Sequence, residues 1–326
     1  MINLKTLEVW FVTGSQHLYG EETLKQVALH SQAIAASLDA DKNIAVKVVF
    51  KPTVKTTEEI YSVCQEASNT KNCIGIIAWM HTFSPAKMWI GGLKVLQKPL
   101  CHLHTQFNRD IPWADIDMDF MNLNQSAHGD RKLGFIVSRM RMNRKVIVGH
   151  WQDPEVLLQL DTWCRAATGW NDWQGAKFVR FSDNMRYVAV TDGDKVEAEY
   201  KFGYAVNTHG IGDLVKVINE TPDAAIVALI KEYEEQYSLS ASLKKDGEKY
   251  SSLREAEKIE IGLKAFLEEG NYKGFTDTFE DLHGMAQLPG IAAHHLHGTN
   301  QCSSFPITFA CKAVTRCHQA LCSNAW

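Results

Sequence analysis

The sequence has no hydrophobic run that approaches the roughly 18 residues needed to cross a bilayer, so we expect no transmembrane helix. Its first ten residues, MINLKTLEVW, contain no basic segment followed by a long apolar one. We therefore expect no secretory leader and a cytoplasmic location. The net charge of −4 gives no reason to expect a nucleic acid or an anionic membrane as a partner.

Several motifs that carry well-known chemistry are also missing. The eight cysteines include no C-x-x-C pair of the kind found in structural zinc sites, and without secretion we expect them to be reduced thiols rather than disulfides. No G-x-G-x-x-G follows the first predicted strand, which argues against a nicotinamide dehydrogenase. No G-x-x-x-x-G-K-[ST] or G-x-S-x-G is present, so neither a P-loop nor a hydrolase nucleophile elbow is indicated.

The first half of the chain has a regular alternation of strand and helix patterns. Short apolar runs predict strands at 7–13, 45–50, 73–79, 99–103 and 145–149. Helical spacing of apolar residues predicts helices at 21–39, 57–68 and 154–167, and Pro85 is typical of the first turn of another. Such alternation predicts an α/β fold with a Rossmann-like, doubly wound parallel sheet.

A second α/β domain is predicted for residues 176–293, after a first domain of residues 1–175. It begins with a strand at 177–181. The patterns at 187–191 and 195–202 flank Asp192-Gly193-Asp194, which predicts a β-hairpin. Helices are expected at 221–237 and behind the capping-box sequence at 252–255, with a last strand at 274–280.

Polar side chains follow four of the predicted strands at the point where each strand ends. Strand one opens into GSQHLYG at 14–20, and the others into His81-Thr82-Phe83, His104-Thr105-Gln106 and His150-Trp151-Gln152-Asp153. In open α/β sheets, ligands bind beyond the carboxyl ends of the strands. Amides, imidazoles and an indole suit a polyhydroxylated neutral ligand such as a sugar, although loops are commonly polar without any ligand.

Two histidine patterns leave alternatives open. His102 and His104 share one face of strand four, because side chains alternate along a strand. They are candidates either for metal ligands or for a hydrogen-bonded structural pair. His283, in FEDLH, is likewise either a group oriented by nearby carboxylates or a polar residue near a strand end.

Seven stretches of the sequence resemble the L-arabinose isomerase family, over about residues 5–292. They are EVWFVTGSQHLYG at 8–20, HTFSPAKMW at 81–89, HTQFN at 104–108, MDFMNLNQSAHG at 118–129, GHWQD at 149–153, DNMR at 183–186 and TFEDLHG at 278–284. The resemblance implies an enzyme that interconverts L-arabinose and L-ribulose, with a Rossmann-like N-terminal domain and a central α/β domain.

The resemblance also implies a set of site residues, a cofactor and an assembly. Members of the family depend on Mn²⁺ and form homohexamers with active sites at subunit contacts. By motif match, Gln16, Leu18, Met185 and Phe279 would line the sugar site. Gln125 and His128 would reach the site of a neighbouring subunit.

The chain departs from the family pattern after residue 293. The family's two glutamates and two histidines for base and metal chemistry should follow there, but residues 294–326 hold no Asp or Glu and four of the eight cysteines. We expect a frameshifted or shortened chain that lacks the family's metal ligands and C-terminal domain. The alternative is a new zinc or copper site formed by His294, His295, His297, His318 and the four cysteines of this tail.

Three functions therefore stay open from the sequence. The first is an L-arabinose isomerase whose chain is inactive alone, because it lacks the base and the metal ligands. The second is a sugar-binding or subunit-modulating module without catalysis that uses the same Gln16, Met185 and Phe279 surface. The third is a distinct metalloprotein that uses the Cys/His tail.

Overall fold

The computed structural model describes residues 3–298. Its contacts divide the chain into two compact units, of which one ends at Asn171 and the other begins at Asp172. Most of the predicted Cys/His tail, 294–326, lies outside the described residues. Within the described residues, no helix is both long enough and apolar enough to cross a membrane.

The first unit contains a five-stranded parallel sheet with the strand order β2-β1-β3-β4-β5. The strands are β1 Glu8–Gly14, β2 Lys47–Phe50, β3 Cys73–Met80, β4 Leu100–His104 and β5 Lys145–Val148. The helices are α1 Gly20–Ala40, α2 Thr57–Asn69, α3 Trp89–Val95, α4 Met118–Leu123, α5 Ser126–Arg139 and α6 Pro154–Trp173. The predicted doubly wound α/β fold is confirmed.

Both faces of this sheet are covered by helices. Alternate residues of β1 enter different cores: Val9 and Phe11 pack on the side of α1 and α6, and Trp10 and Val12 pack on the side of α2, α3 and α5. Strand β3 is buried along its whole length. Each fully buried aliphatic or aromatic side chain contributes about 1.5–3 kcal/mol. The apolar runs of β1, β3 and β4 form the central strands, as expected for a parallel sheet, whereas the partly exposed β2 and β5 lie at its edges.

The second unit contains a smaller parallel sheet with the order β7-β6-β8. Its strands are β6 Lys177–Phe181, β7 Ala205–His209 and β8 Gly274–Thr276. Its helices are α7 Lys195–Phe202, α8 Ile211–Asn219, α9 Asp223–Gln236, α10 Tyr250–Glu269 and α11 Gly290–Gly298. Val179 and Phe181 of β6 form its main core with apolar side chains of α8, α10 and α11.

The predicted hairpin around Asp192-Gly193-Asp194 is wrong. Residues 195–202 form the helix α7, because the Asp194 side chain accepts a hydrogen bond from the backbone N–H of Glu197 and so caps a helix start. Gly203, with a φ of +84°, ends the helix in the left-handed conformation. The alternating apolar residues of VEAEYKF indicated a strand, but these local capping interactions decide the structure.

Two further boundaries in the second unit differ from the sequence prediction. Helix α10 begins at Tyr250 without a side-chain cap, so Ser252 lies in its first turn and does not form the predicted capping box. Strand β8 ends at Thr276, and a short 3-10 turn follows at Phe279–Asp281, where the Thr278 hydroxyl accepts from the Glu280 N–H. The predicted strand 274–280 is therefore shorter than expected.

The four cysteines that the structure describes, Cys64, Cys73, Cys101 and Cys164, are free and buried. Burial raises the pKa of the Cys64 thiol to about 12 and that of Cys73 to about 11. They pack as small apolar groups, and the prediction of reduced thiols is confirmed for these four.

Candidate functional site

The loops that follow β1, β3 and β4 lie together at the carboxyl edge of the first sheet. The hydroxyls of Ser15 and Thr82 are hydrogen-bonded at 2.7 Å, which ties the loop after β1 to the loop after β3. The Ser126 hydroxyl, in the first turn of α5, donates to the carbonyl of His81 at 3.3 Å. This is the edge at which ligands bind in open α/β sheets.

Close packing explains why β1 ends in glycine. A Cβ added to Gly14 would lie 2.6 Å from the Sδ of Met80 and 2.9 Å from the ring of Trp89. Gly20, with a φ of +78°, then ends the short 3-10 turn at residues 17–19. The two glycines thus hold a compact turn between the sheet edge and α1.

That turn carries the predicted site residues Gln16 and Leu18. Gln16 is half-buried immediately before the turn, and Leu18 is 83% exposed within it. Leu18 therefore presents an exposed apolar side chain two residues after Gln16.

The predicted site residues Gln125 and His128 line one cavity of about 490 Å³ in the first unit. The cavity wall is rich in amides and methionines: Gln106, Asn108, Asp110, Ile111, Ile116, Met118, Phe120, Met121, Asn122, Asn124, Gln125, Ala127 and His128. Its volume falls in the range of small-molecule sites.

The amides of this wall are held by one another. The Gln125 Nε2 donates to Asn122 Oδ1 at 3.2 Å, and the Gln106 Nε2 donates to the carbonyl of Asn124 at 3.5 Å. Among the described residues, the buried oxygens Gln106 Oε1 and Asn124 Oδ1 have no hydrogen-bond partner. An amide both donates and accepts, so this wall suits a ligand with several hydroxyls.

The last two predicted site residues, Met185 and Phe279, lie in the second unit on two loops joined by Arg186. The backbone N–H of Arg186 donates to Glu280 Oε2 at 2.9 Å, and its guanidinium lies 3.3 Å from Asp281 Oδ1. Phe279 is 56% exposed and Met185 is half-buried. The structure therefore brings the segments of Met185 and Phe279 together.

The backbone around Met185 is strained. Ser182 has a φ of +65° and Tyr187 a φ of +63°, a region that side chains with a Cβ adopt at some cost. The Ser182 hydroxyl donates to the carbonyl of Asp281 at 3.3 Å, so this loop is held in the strained conformation by the loop that carries Phe279.

One cluster at the first sheet edge was not predicted from the sequence. His30 Nδ1 and His81 Nε2 are hydrogen-bonded at 2.7 Å, and the ring of His30 stacks on Phe107 with centroids 3.6 Å apart. His81 is fully buried against Trp79, and burial lowers its pKa to about 3. The position of His81 directly after β3 indicated a polar residue at the sheet edge. Its hydrogen bond with His30 of α1 could not be predicted, because it depends on tertiary packing.

For His102 and His104, the structure shows the hydrogen-bonded alternative. His102 Nε2 lies 2.8 Å from Asp130 Oδ1, and its Nδ1 lies 3.2 Å from His104 Nε2. Burial, and after it the charges of His104 and Arg144, lower the pKa of His102 to about 3. Burial also raises the pKa of Asp130 well above its ordinary value. Asp130 was not singled out from the sequence, because a single Asp inside a helix carries no spacing signal.

The loop after β5 is hydrogen-bonded to the loop after β4. The indole N–H of Trp151 donates to the carbonyl of Phe107 at 3.1 Å, and its backbone N–H donates to the hydroxyl of Thr105 at 3.0 Å. The Arg109–Asp153 ion pair, at 2.8 Å, lowers the pKa of the Asp153 carboxyl chiefly through its hydrogen bond. Each of the four polar strand ends is thus hydrogen-bonded to one of the others.

The described residues do not fit a Mn²⁺ site. Between residues 3 and 298, no group of three or more His, Cys, Asp or Glu side chains comes together in a way that could hold a metal ion. His283 is exposed. His295, from the predicted Cys/His tail, lies in α11 with its Nδ1 2.6 Å from Glu260 Oε1.

Two family models match the chain in succession. The L-arabinose isomerase N-terminal domain matches residues 3–175, and the L-arabinose isomerase central domain matches residues 177–301. The second match extends past the last resembling motif.

Among curated relatives, the protein named L-arabinose isomerase from Herpetosiphon aurantiacus is 64% identical over 296 residues, which are 91% of this chain and 59% of that protein. The protein of the same name from Koribacter versatilis is 60% identical over an equal span. The protein of this name from Geobacillus stearothermophilus is 57% identical over 296 residues, which are 60% of its length. The chain thus spans about three fifths of the length of these relatives. Because two consecutive domain models match nearly all of the described residues, the chain belongs to the L-arabinose isomerase family and carries its N-terminal and central domains.

Proposed function

We propose that this chain binds L-arabinose and L-ribulose as the sugar-binding part of an L-arabinose isomerase, an enzyme of aldose–ketose interconversion. The observation that carries the proposal is the identity of 55–64% to proteins named L-arabinose isomerase, over about nine tenths of this chain. The amide-lined cavity and the polar loops at the first sheet edge are the features that a polyhydroxylated ligand requires.

Five of the six predicted residues would contact different parts of the sugar, according to the chemistry of their side chains. The side-chain amides of Gln16 and Gln125 hydrogen-bond sugar hydroxyls as donor and acceptor at once. The apolar C–H groups of the sugar would pack against the side chains of Leu18, Met185 and Phe279. In each case the structure leaves the side chain partly exposed, so a ligand can reach it.

The proposed assembly is a homohexamer in which Gln125 and His128 extend to the sugar of a neighbouring subunit. Large apolar side chains are exposed beside their cavity, among them Trp113 at 78%, Met118 at 65% and Met121 at 51%. These residues lie on α4 and on the segment that precedes it. A cluster of exposed apolar residues is typical of a surface that contacts another protein. We also propose a cytoplasmic location, where the four buried thiols would stay reduced.

Isomerisation moves a proton between C1 and C2, and the family resemblance implies Mn²⁺ as the cofactor. Since the described residues do not fit a metal site, we assign neither metal binding nor the carboxylate base to them. Residues 294–326 contain no Asp or Glu that could act as this base. The proposed role of this chain is therefore to bind and orient the sugar, and we expect no turnover from it alone.

Calorimetric titration with the two enantiomers of arabinose tests sugar binding directly. D-Arabinose is a matched control, because it has the same heat of dilution in an achiral solvent. The proposal predicts saturable heat with L-arabinose at millimolar concentrations, which correspond to about −4 kcal/mol, and a smaller or absent signal with D-arabinose. An L-arabinose titration without saturable heat, from a chain shown to be folded by circular dichroism, would overturn the proposal.

The same titration locates the site. Replacing Gln125→Ala removes an amide from the cavity wall, whereas Gln65→Ala removes an amide from the exposed surface of α2. One hydrogen bond contributes about 0.5–1.5 kcal/mol, so binding should weaken roughly two- to tenfold in the first variant and stay unchanged in the second. Equal affinities in both variants would place the sugar elsewhere.

A further inference from the structure

Asp130, His102 and His104 form a continuous chain of hydrogen bonds from the protein interior to the carboxyl edge of the first sheet. The distances are 2.8 Å between Asp130 Oδ1 and His102 Nε2, and 3.2 Å between His102 Nδ1 and His104 Nε2. Asp130 and His102 are buried, whereas His104 is half-buried at the last position of β4. Both ring nitrogens of His102 are hydrogen-bonded, Nε2 to Asp130 and Nδ1 to His104.

A neutral imidazole carries one proton on one of its two nitrogens, so the direction of each hydrogen bond determines the next. When Asp130 is a carboxylate, His102 must donate from Nε2. Its Nδ1 is then bare and accepts the N–H from His104 Nε2, which leaves His104 Nδ1 without a proton. His104 then presents an acceptor beyond the chain.

Uptake of one proton reverses every bond in the chain. A proton binds at His104 Nδ1, the proton on His104 Nε2 passes to His102 Nδ1, and the proton on His102 Nε2 passes to Asp130 Oδ1. Each ring ends neutral with its proton on the opposite nitrogen, and Asp130 ends as a carboxylic acid. His104 Nδ1–H is now a donor, and the buried carboxyl has been titrated without direct access to water.

From this geometry we infer that Asp130, acting through His102, sets the tautomer of His104 and so decides whether the sheet edge presents a donor or an acceptor there. Asp130 and His102 are positioning residues, and His104 is the group that they position. Among the described residues, the ring of His104 hydrogen-bonds only to His102, which leaves its Nδ1 available to a ligand.

The surroundings favour protonation of Asp130 over charging of either ring. The Asp130 Oδ1 accepts from the backbone N–H of Met80 at 3.2 Å, but its Oδ2 is buried without a partner among residues 3–298. An unpaired buried carboxylate oxygen is costly. Arg144 is the charged group that acts on both rings, and together with burial it lowers the pKa of each. The added proton therefore binds to the Asp130 carboxyl rather than to either ring.

The consequence for a sugar hydroxyl rests on the proposed function. A hydroxyl donates to a bare nitrogen and accepts from a protonated one, so the relay would change which sugar oxygen His104 favours. The tautomer itself does not depend on sugar, which allows the two ideas to be tested separately.

Nitrogen-15 NMR of the full chain with labelled histidine rings tests the relay, because a bare ring nitrogen and a protonated one differ widely in chemical shift. The His104→Gln variant identifies the resonances of His104 by their loss. As the pH is lowered from about 9 to about 5, the range around ordinary imidazole titration, we expect Nδ1 and Nε2 of His104 to exchange character. The rings of His102 and His104 should do so with one shared midpoint.

Asp130→Asn is the decisive variant, since an amide cannot take up the proton. It should hold His104 in one tautomer across the whole range, whereas the exposed carboxamide control Asp119→Asn should leave the exchange unchanged. The inference is overturned if wild-type His104 keeps one tautomer throughout, or if both of its nitrogens become protonated together at a midpoint of their own. These wild-type outcomes decide the matter even if Asp130→Asn does not fold. Absence of L-arabinose heat in calorimetry would remove the proposed function and leave the NMR result standing.

Discussion

The ring of Phe83 stacks on the ring of His128, with centroids 4.7 Å apart and planes inclined by 24°. Phe83 belongs to the loop after β3, and His128 to the first turn of α5. The contact therefore fixes a predicted sugar-binding imidazole against the carboxyl edge of the sheet. Positioning by a packed aromatic ring lowers the entropy that the side chain loses when a ligand binds.

Replacing Phe83→Ala should weaken the binding of L-arabinose, because His128 loses its stacking partner. Aromatic pairs contribute about 0.5–1.5 kcal/mol, so we expect roughly a two- to tenfold rise in the dissociation constant measured by calorimetry. Phe135→Ala, on the exposed side of α5, is the matched control and should bind as the wild type does. If both variants bind equally well, the stack does not serve the sugar site.

The Arg186 contacts should matter for binding more than for stability. Arg186→Ala removes the guanidinium contacts with Glu280 at 3.7 Å and Asp281 at 3.3 Å, which help to hold the loops of Met185 and Phe279 together. The backbone N–H bond to Glu280 stays in place. Exposed ion pairs contribute less than about 1 kcal/mol, so the melting temperature should change little while sugar affinity falls. Arg254→Ala, which removes a comparable surface pair with Asp223, should leave affinity unchanged. Affinity that falls equally in the two variants would contradict the role given to these loops.

Gly14 should tolerate no larger residue. The Cβ of Gly14→Ala would overlap Met80 and Trp89, and overpacking of a core costs about 1–3 kcal/mol. Gly193→Ala is the control, since no atom lies within 4 Å of the added Cβ. Urea unfolding followed by tryptophan fluorescence should show a lower midpoint for the first variant only. An unchanged midpoint for Gly14→Ala would mean that the end of β1 has room to adjust.

The buried Glu257 should make the second unit less stable as the pH rises. Both of its carboxylate oxygens lack a partner among the described residues. Burial, and after it the charge of Glu260, raises its pKa from an ordinary 4.5 to about 8. In the unfolded chain the group ionises near its ordinary value, so the folded state is favoured fully below pH 4.5 and loses this advantage as the pH rises through about 8.

Glu257→Gln should therefore be more stable than the wild type at about pH 9 and similar to it near pH 4.5. Each pKa unit of difference corresponds to about 1.4 kcal/mol, so we expect a gain of a few kcal/mol at the high pH, measured by urea unfolding. Glu269→Gln, exposed near the end of the same helix, should show no such pH-dependent gain. A difference between Glu257→Gln and wild type that stays constant with pH would show that the carboxyl is not held neutral.

The first sheet could be predicted from the sequence chiefly because its central strands are buried on both faces. A strand such as β3 must then be apolar at every position, and this signal survives without any knowledge of the tertiary structure. The second unit was harder to predict. Strand β7 is partly exposed throughout and has no such run, and α7 has the alternation of a strand but the cap of a helix.

The candidate site was likewise predictable from the sequence only in part. The position of the polar loops at one sheet edge followed from the strand pattern, whereas Gln125, His128, Met185 and Phe279 came from the family resemblance. Their role in sugar binding stays a prediction. The His102–His104 contact followed from strand alternation, but the His30–His81 pair and the Asp130–His102 bond join residues far apart in sequence. No local pattern encodes such contacts, because they exist only once the helices pack on the sheet.

The central claim is that this chain binds the sugar without supplying the base and metal chemistry. An isomerase assay of the purified 326-residue chain, with L-arabinose and Mn²⁺ and with a chelator as control, tests it most directly. We predict no L-ribulose above the chelator control from a folded chain that gives saturable heat with L-arabinose. L-Ribulose formed only when Mn²⁺ is present would contradict the account, since a working base and metal site would then exist within this chain.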